Sequence, residues 1–411
     1  MTFYKENEFQ ATPVGKIPKD WEVTTLKDAS LLITDGSHFS PKHQESGYPL
    51  ATVANMRENA IDVDSCYRIS REDYERLVES GDKPGINDVL FSKDGTVGQC
   101  LVFNQKVDLI VLSSIAIIRP DQRKVDPHFL KYMLQSGSVL GRIIGSKTGT
   151  AIRRIILRDL SSTRIALPKK LEEQRLVVGV LGVVDSAIGL VDRVIWKTER
   201  LKKGLMQTLL TKGIGHKEYK DTPIGKTPKT WQVLQVGDLL SLEYGKGLPD
   251  RERVPGPYPV VGSNGVVGYH NQALVKGPGI VVGRKGTIGA VSWIDEDYWP
   301  IDTTYYVKPK TTNMSLKWLF HALTYLNPAR FHLADVVPGL KRELVYSLKT
   351  GFPPLPEQEE IADILSTINN KLDLERKERS RLERVKRSLM DLLLTGKVRV
   401  KVNWNEIIRD V

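Results

Sequence analysis

Between Val177 and Ile195 the apolar residues fall at Val177, Leu181, Val184, Ile188, Val191 and Ile195, in alternating steps of four and three. That is the spacing of a coiled-coil seam, and it predicts a long helix packed lengthwise against another. Ile361, Leu365, Ile368 and Leu372 begin the same series again. Pro168 and the run Pro353-Pro354-Leu355-Pro356-Glu357 mark the expected starts, since a proline in the first turn forfeits no intrahelical bond and a carboxylate suits the positive helix end. Gly213 and Gly396 are placed to cap the other ends. About 40 residues at 1.5 Å each make a rod of roughly 60 Å. Leu176 to Val184 is apolar all round and includes Gly179 and Gly182, so this stretch is expected to be buried on more than one side.

Elsewhere the pattern is short and β-branched. Val89-Leu90-Phe91 and Leu101-Val102-Phe103 flank a turn at Gly95 and Gly98, and Gly279 to Val282 and Ala290 to Trp293 flank a second at Gly286 and Gly289. Both read as β hairpins. Pro127 to Leu134 and Ser315 to Leu326 carry helical spacing.

These elements repeat because the chain is written twice. Thr12 to Val23 returns as Thr222 to Val233 at an offset of 210, Gly95-Thr96-Val97-Gly98 as Gly286-Thr287-Ile288-Gly289 at 191, and Glu173-Gln174 as Glu357-Gln358 at 184. Leu205-Met206 and Leu389-Met390 keep the offset of 184, so the long segments have equal length while the globular copies differ. The fold class expected is α/β (α+β): two similar globular domains alternating with two long helices that pack as an antiparallel coiled coil with internal pseudo-two-fold symmetry. The expected borders are 1–165, 166–212, 213–350 and 351–400, with a tail at 401–411.

The 411 residues carry 60 Lys and Arg against 49 Asp and Glu, a net charge of +11 that favours a polyanionic partner. Cys66 and Cys100 are too few for a disulfide scaffold or a cysteine-rich zinc site, which suits a reducing cytoplasm. The polar first residues do not form a signal peptide, and no stretch is long and apolar enough for a membrane span. The histidines form no ligand pair, and Gly141 to Thr148 has Ser146 where a phosphate-binding loop needs its second glycine. No Asn/Asp-Pro-Pro-aromatic run of an amino-methyltransferase occurs; Asn327-Pro328-Ala329 fails at its third position.

Leu171-Glu172-Glu173-Gln174 and Pro353 to Gln358, each opening a long helix after a domain with a Gly-Thr-Val/Ile-Gly turn, resemble the specificity subunit of Type I restriction-modification systems. The resemblance runs from about Thr12 to Val398. It implies that the globular parts are target recognition domains for double-stranded DNA and that the helices are spacers. It also implies partners: two modification subunits that methylate adenine, and restriction subunits that are ATP-driven translocases. Targeting without catalysis is then expected here, with no cofactor of its own and with S-adenosylmethionine, ATP and Mg on the partners. Two half-sites held at a fixed separation would be read as dimeric repressors read theirs.

The DNA-contact candidates are cations and hydroxyls in turns and loops. In the first copy they are Ser37, His38 and Lys42, then Lys93 and Thr96, then Lys147, Arg153 and Arg154 as phosphate clamps. In the second they are Lys246, then Arg284, Lys285 and Thr287, then Lys341 and Arg342. Ordinary solvated turns would carry the same residues. The basic run from Arg376 to Arg387 reads first as a solvated helix face. Two other functions remain open on sequence: a self-sufficient DNA methyltransferase or nuclease, and a structural coiled-coil protein with non-specific DNA affinity.

Overall fold

The computed structural model describes residues 1–145, 155–331 and 339–401. The chain forms two compact units, Met1–Leu190 with Arg379–Val411, and Val191–Glu378. Both cuts fall inside long helices, Leu171–Lys212 and Leu355–Leu393. Each unit therefore holds one globular domain and a stretch of both helices.

The two domains share one strand plan. In the first, a fully antiparallel four-stranded sheet runs Ser30–Asp35, Ile115–Pro120, Val89–Ser92, Cys100–Val102. In the second the order is Leu240–Tyr244, Thr304–Pro309, Gly279–Gly283, Val291–Ile294. Both expected hairpins are present. A three-stranded sheet accompanies each, with its central strand, Tyr48–Ala51 or Tyr258–Gly262, paired parallel on one side and antiparallel on the other. The helices Pro127–Gln135 and Leu316–Leu326 cover the larger sheets, and Asp126 and Ser315 cap their first turns. The first copy is longer partly because the helix Arg71–Glu79 precedes its Val89–Ser92 strand.

The stretch before each Trp is a hairpin. Phe9–Thr12 pairs with Gly15–Pro18, and Tyr219–Thr222 with Gly225–Pro228. Pro168 does not start a helix either: it ends the strand Arg164–Pro168, which pairs with Trp21–Thr25, and the helix begins at Leu171. In the second copy Pro356 does sit in the first helical turn. The first unit has one pairing without a counterpart among the described residues, Thr2–Lys5 against Val398–Lys401.

The Glu-Gln repeats are where helix and domain are joined. Gln174 is fully buried; its Oε1 accepts from the Asp126 N–H (2.8 Å) and its Nε2 donates to the carbonyls of Lys124 and Pro168 (both 2.9 Å). Gln358 is equally buried, accepting from the Ser315 N–H (2.9 Å) and donating to the Pro353 carbonyl (2.8 Å). Glu357 accepts from one indole and from the backbone, from Trp231 Nε1 (2.8 Å) and the Ile214 N–H (3.0 Å), and lies 2.8 Å from His216 Nε2. Glu173 faces Trp21 in the same way and is gripped by Arg399, which also holds Asp20 and Glu6. The Arg399 guanidinium keeps the Glu6 carboxyl below its usual range.

The helices run antiparallel within each unit. In the first, Val177 and Leu181 share a core with Met390, Leu393 and Leu394, and Asp185 lies 2.6 Å from Lys386 Nζ. In the second, Met206, Leu209 and Leu210 pack with Ile361, Ala362 and Leu365. Asp185 also accepts from Tyr132 OH (2.6 Å), with the buried Lys131 ammonium 3.8 Å away. The counterpart of Tyr132 is His321, buried and 3.2 Å from Ser366 Oγ. Burial, with Lys202 and Lys317 nearby, holds its ring down to about 4.

Another expectation fails. Leu176 to Val184 is not buried all round: Val177 and Leu181 turn inward and Leu176, Val178 and Val180 pack partly against the same core, while Val183 is 70% exposed and Gly182 faces open space. Leu190, Leu201, Leu374 and Val385 are also exposed, so the long helices carry apolar surface that the described residues do not cover.

Replacing Gln174 by Leu strands one N–H and two carbonyls in a dry site. Chemical denaturation should show a loss of about 3 kcal/mol, since each unpaired buried group costs roughly 1–3 kcal/mol before relaxation; a loss below about 1 kcal/mol would contradict the clasp. His321 gives a pH dependence. The unfolded ring protonates near 6.5 and the folded ring only near 4, so the unfolded chain binds the extra proton between those values. Stability is full above pH 6.5 and falls as the pH drops toward 4, by at most about 3 kcal/mol from this group. Melting curves from pH 7 to pH 5 should fall less steeply in His321→Gln, and parallel curves would refute the assignment.

Candidate nucleic-acid interface

In both domains the Gly-Thr-x-Gly turn lies beside the loop that follows the edge strand, Ser30–Asp35 or Leu240–Tyr244. That loop opens with Gly36 or Gly245, whose Cβ would stand 2.1 Å from the Val111 oxygen or 2.2 Å from the Ile301 oxygen. Only glycine lets the two backbones approach so closely. The turn residue Lys93 donates its N–H to Ser114 and Arg284 donates its own to Thr303, fixing the two residues equivalently.

The side chains at this shared place differ. Lys93 is not a surface cation: its ammonium is buried and lies 2.8 Å from Asp35 Oδ2. Ser37 is buried too, its hydroxyl donating to the Phe39 carbonyl (2.8 Å) and accepting from the Phe39 N–H (3.1 Å). These two candidates build the loop and present nothing outward. His38, Lys42 and Thr96 are exposed, with His38 Nε2 3.1 Å from Asp35. Burial raises the carboxyl of nearby Asp82 above its usual range, against the opposing charge of His38. Exposed Phe39 lies under Arg76 (4.3 Å), and exposed Tyr67 stacks on His43 (3.8 Å).

The second domain gathers its candidates around an exposed ring. Arg284 and Arg342 lie 5.1 and 4.8 Å from the centroid of Tyr244, which tilts against Tyr305. Burial pushes the Tyr305 phenol up to about 12, and its hydroxyl donates to the Leu340 carbonyl (2.9 Å). Lys285, Thr287, Lys246 and Lys341 are exposed. Lys246 reaches over Trp299 (5.9 Å), whose indole N–H donates to the Lys246 carbonyl (2.9 Å). Lys147, Arg153 and Arg154 lie outside the described residues.

Nothing in sequence position singles out Arg76, Tyr67 or Trp299; the usable signal is an aromatic set in a polar loop, as at Phe39 and Tyr244. The basic run of the second long helix is partly consumed internally, Arg376 by Glu199 (2.8 Å), Arg379 by Glu383 (2.7 Å) and Lys386 by Asp185. Burial pushes the thiols of Cys66 and Cys100 up to about 11 and about 12, so neither offers a thiolate nucleophile at neutral pH. Among the described residues no group of three or more His, Cys, Asp or Glu is placed to hold a metal, and no helix is long and apolar enough to cross a membrane. What the surface offers is cations, hydroxyls and rings on turns, the chemistry of a polyanion contact.

Lys93→Met should lower stability by about 3 kcal/mol by leaving the Asp35 carboxylate without its ammonium, whereas Lys285→Ala should leave the melting temperature within about 1 °C. Equal thermal shifts in the two variants would contradict this division of roles.

A family model described as Type I restriction modification DNA specificity domain matches the chain twice, over residues 18–196 and 228–384. A Methanocaldococcus jannaschii chain assigned as the type I restriction enzyme MjaX specificity subunit is 28% identical, covering 98% of this chain and 99% of its own. The MjaVIII specificity subunit of the same organism is 26% identical over 98% of each chain. The crystal structure of a Type I restriction-modification S subunit from M. genitalium shares the fold, with a TM-score of 0.61 at 17% identity over 93% of this chain and 98% of that one. A specificity-domain match in each copy, together with the same sheets and long helices repeated in order, makes this protein a member of the Type I restriction-modification DNA specificity subunit family.

Proposed function

We propose that the chain is the non-catalytic targeting subunit of a Type I restriction-modification complex, each globular domain binding one half of a bipartite, asymmetric site on duplex DNA. The observation that carries this reading is one scaffold used twice with different side chains at the same place: Asp35 and Lys93 in the first domain, Tyr244 and Arg284 in the second. A repeated frame supports two readers, and unlike contacts support unlike half-sites. The long helices set the distance between the half-sites. Their uncovered apolar positions, Val183, Leu190, Leu201, Leu374 and Val385, suit docking of two modification subunits. S-adenosylmethionine, ATP and Mg belong to those partners and to the restriction subunits that join them. Methyl transfer from labelled S-adenosylmethionine to site-bearing DNA should require both this chain and the modification subunits; transfer by this chain alone would overturn the non-catalytic role.

The spacing role has its own test. Four residues inserted at the middle of the first long helix lengthen it by roughly 6 Å and approximately keep the seam in phase. Selected half-sites should move apart by one or two base pairs, with the bases in each half unchanged, since duplex DNA advances about 3.4 Å per pair. A two-residue insertion turns the seam by about 160° from its partner and should abolish binding. Unchanged spacing and affinity with both insertions would remove the helices from this role.

A further inference from the structure

Reading a base and neutralising a phosphate ask different things of an arginine. A phosphate needs charge, which a mobile surface side chain supplies; a base edge needs a donor fork held in one plane and one direction. Arg284 is held in that way. Its backbone is tied on both sides, the N–H to Thr303 (2.8 Å) and the carbonyl to the Leu340 N–H (2.9 Å). Its side chain donates through Nε to the Asp302 carbonyl (3.1 Å), and the guanidinium rests against the Tyr244 ring. Ring and carbonyl together fix the plane and leave the two terminal amino groups as a pair of parallel donors. Arg342 meets the same ring and spends one amino group on the Leu242 carbonyl (3.3 Å). Neither guanidinium has a carboxylate within ion-pair distance among the described residues. Two unneutralised cations on one ring concentrate positive potential where the exposed Lys285-Gly286-Thr287 turn stands.

We propose that Arg284 is a base-reading residue of the second domain, its terminal amino groups donating to the O6 and N7 of a guanine in the major groove, with Tyr244 as the positioning residue that holds the fork. The O6 and N7 of guanine are two acceptors at the separation this fork matches, and no other base presents that pair. The contact belongs to one half-site only. At the equivalent place in the first domain the cation is Lys93, which has no fork and is buried against Asp35. The first half-site is therefore read without a cation from its Gly-Thr-Val-Gly turn, through exposed groups such as His38 and Thr96.

The inference rests on the targeting role, and the experiment separates the two. The full chain, assembled with its modification subunits, selects duplexes from a pool randomised over both half-sites. The wild type should recover a guanine at one position of the second half. Arg284→Lys, which keeps the charge and loses the fork, should relax that position, a preference of about tenfold or more falling to about threefold or less. The first half-site should be unchanged, which reports intact folding, and the dependence of affinity on salt should be unchanged because the charge is kept. Tyr244→Leu should relax the same position without altering any charge. Retention of the guanine in both variants, whether affinity is unchanged or uniformly weaker, would reduce Arg284 to a phosphate contact or a bystander and overturn the inference. Relaxation of both half-sites would also overturn it, because the residues would then be supporting the fold. A wild-type complex that recovers no bipartite sequence would overturn the targeting role itself.

Discussion

Everything in this molecule hangs on a buried amide at the start of each long helix. The strand end and the loop on which the helix opening rests leave backbone N–H and C=O groups without partners of their own. Gln174 and Gln358 satisfy both sides at once: one oxygen takes the N–H of the cap residue, Asp126 or Ser315, and one nitrogen supplies the carbonyl of Pro168 or Pro353. A carboxylate could not do both, because it has no proton to donate. The amide thus fixes where the helix leaves the domain, and the neighbouring glutamate, bonded to Trp21 or Trp231, fixes its direction.

With that joint set, the domain behaves as a frame on which the side chains at the turn vary. The strands, the glycines at 36 and 245 and the turn hydrogen bonds recur because the backbone requires them. The side chains presented at the turn are under no such requirement. A buried lysine paired with an acid in one copy becomes an arginine resting on a tyrosine in the other, and the backbone hydrogen bonds at Lys93 and Arg284 remain the same. The copies also differ where helix meets sheet. Tyr132 shares a charged cluster with Asp185, Lys131 and Lys386, whereas His321 stays neutral beside Ser366. Charge counted along the chain therefore overstates the charge available to a partner, as the internal pairs of Arg376, Arg379 and Lys386 show.

The sequence by itself determined the duplication, both seams and the glycine-turned hairpins, because periodicity and turn chemistry are local and survive without a partner. It also named the Glu-Gln pairs, though as helix openings and not as clasps. It misplaced Pro168, which looks like a helix start and ends a strand, because only pairing with Trp21 distinguishes the two. It misjudged Leu176 to Val184, whose composition says apolar without saying how many faces a neighbour covers. The tertiary structure alone decided which cations are free. Lys93 and Arg284 occupy the same turn and look interchangeable on the page. One is buried because Asp35, 58 residues earlier in the chain, meets its ammonium; the other stays available because Tyr244 stands in the place of that acid. Burial and partnership are settled by residues distant in sequence, and no local pattern records them.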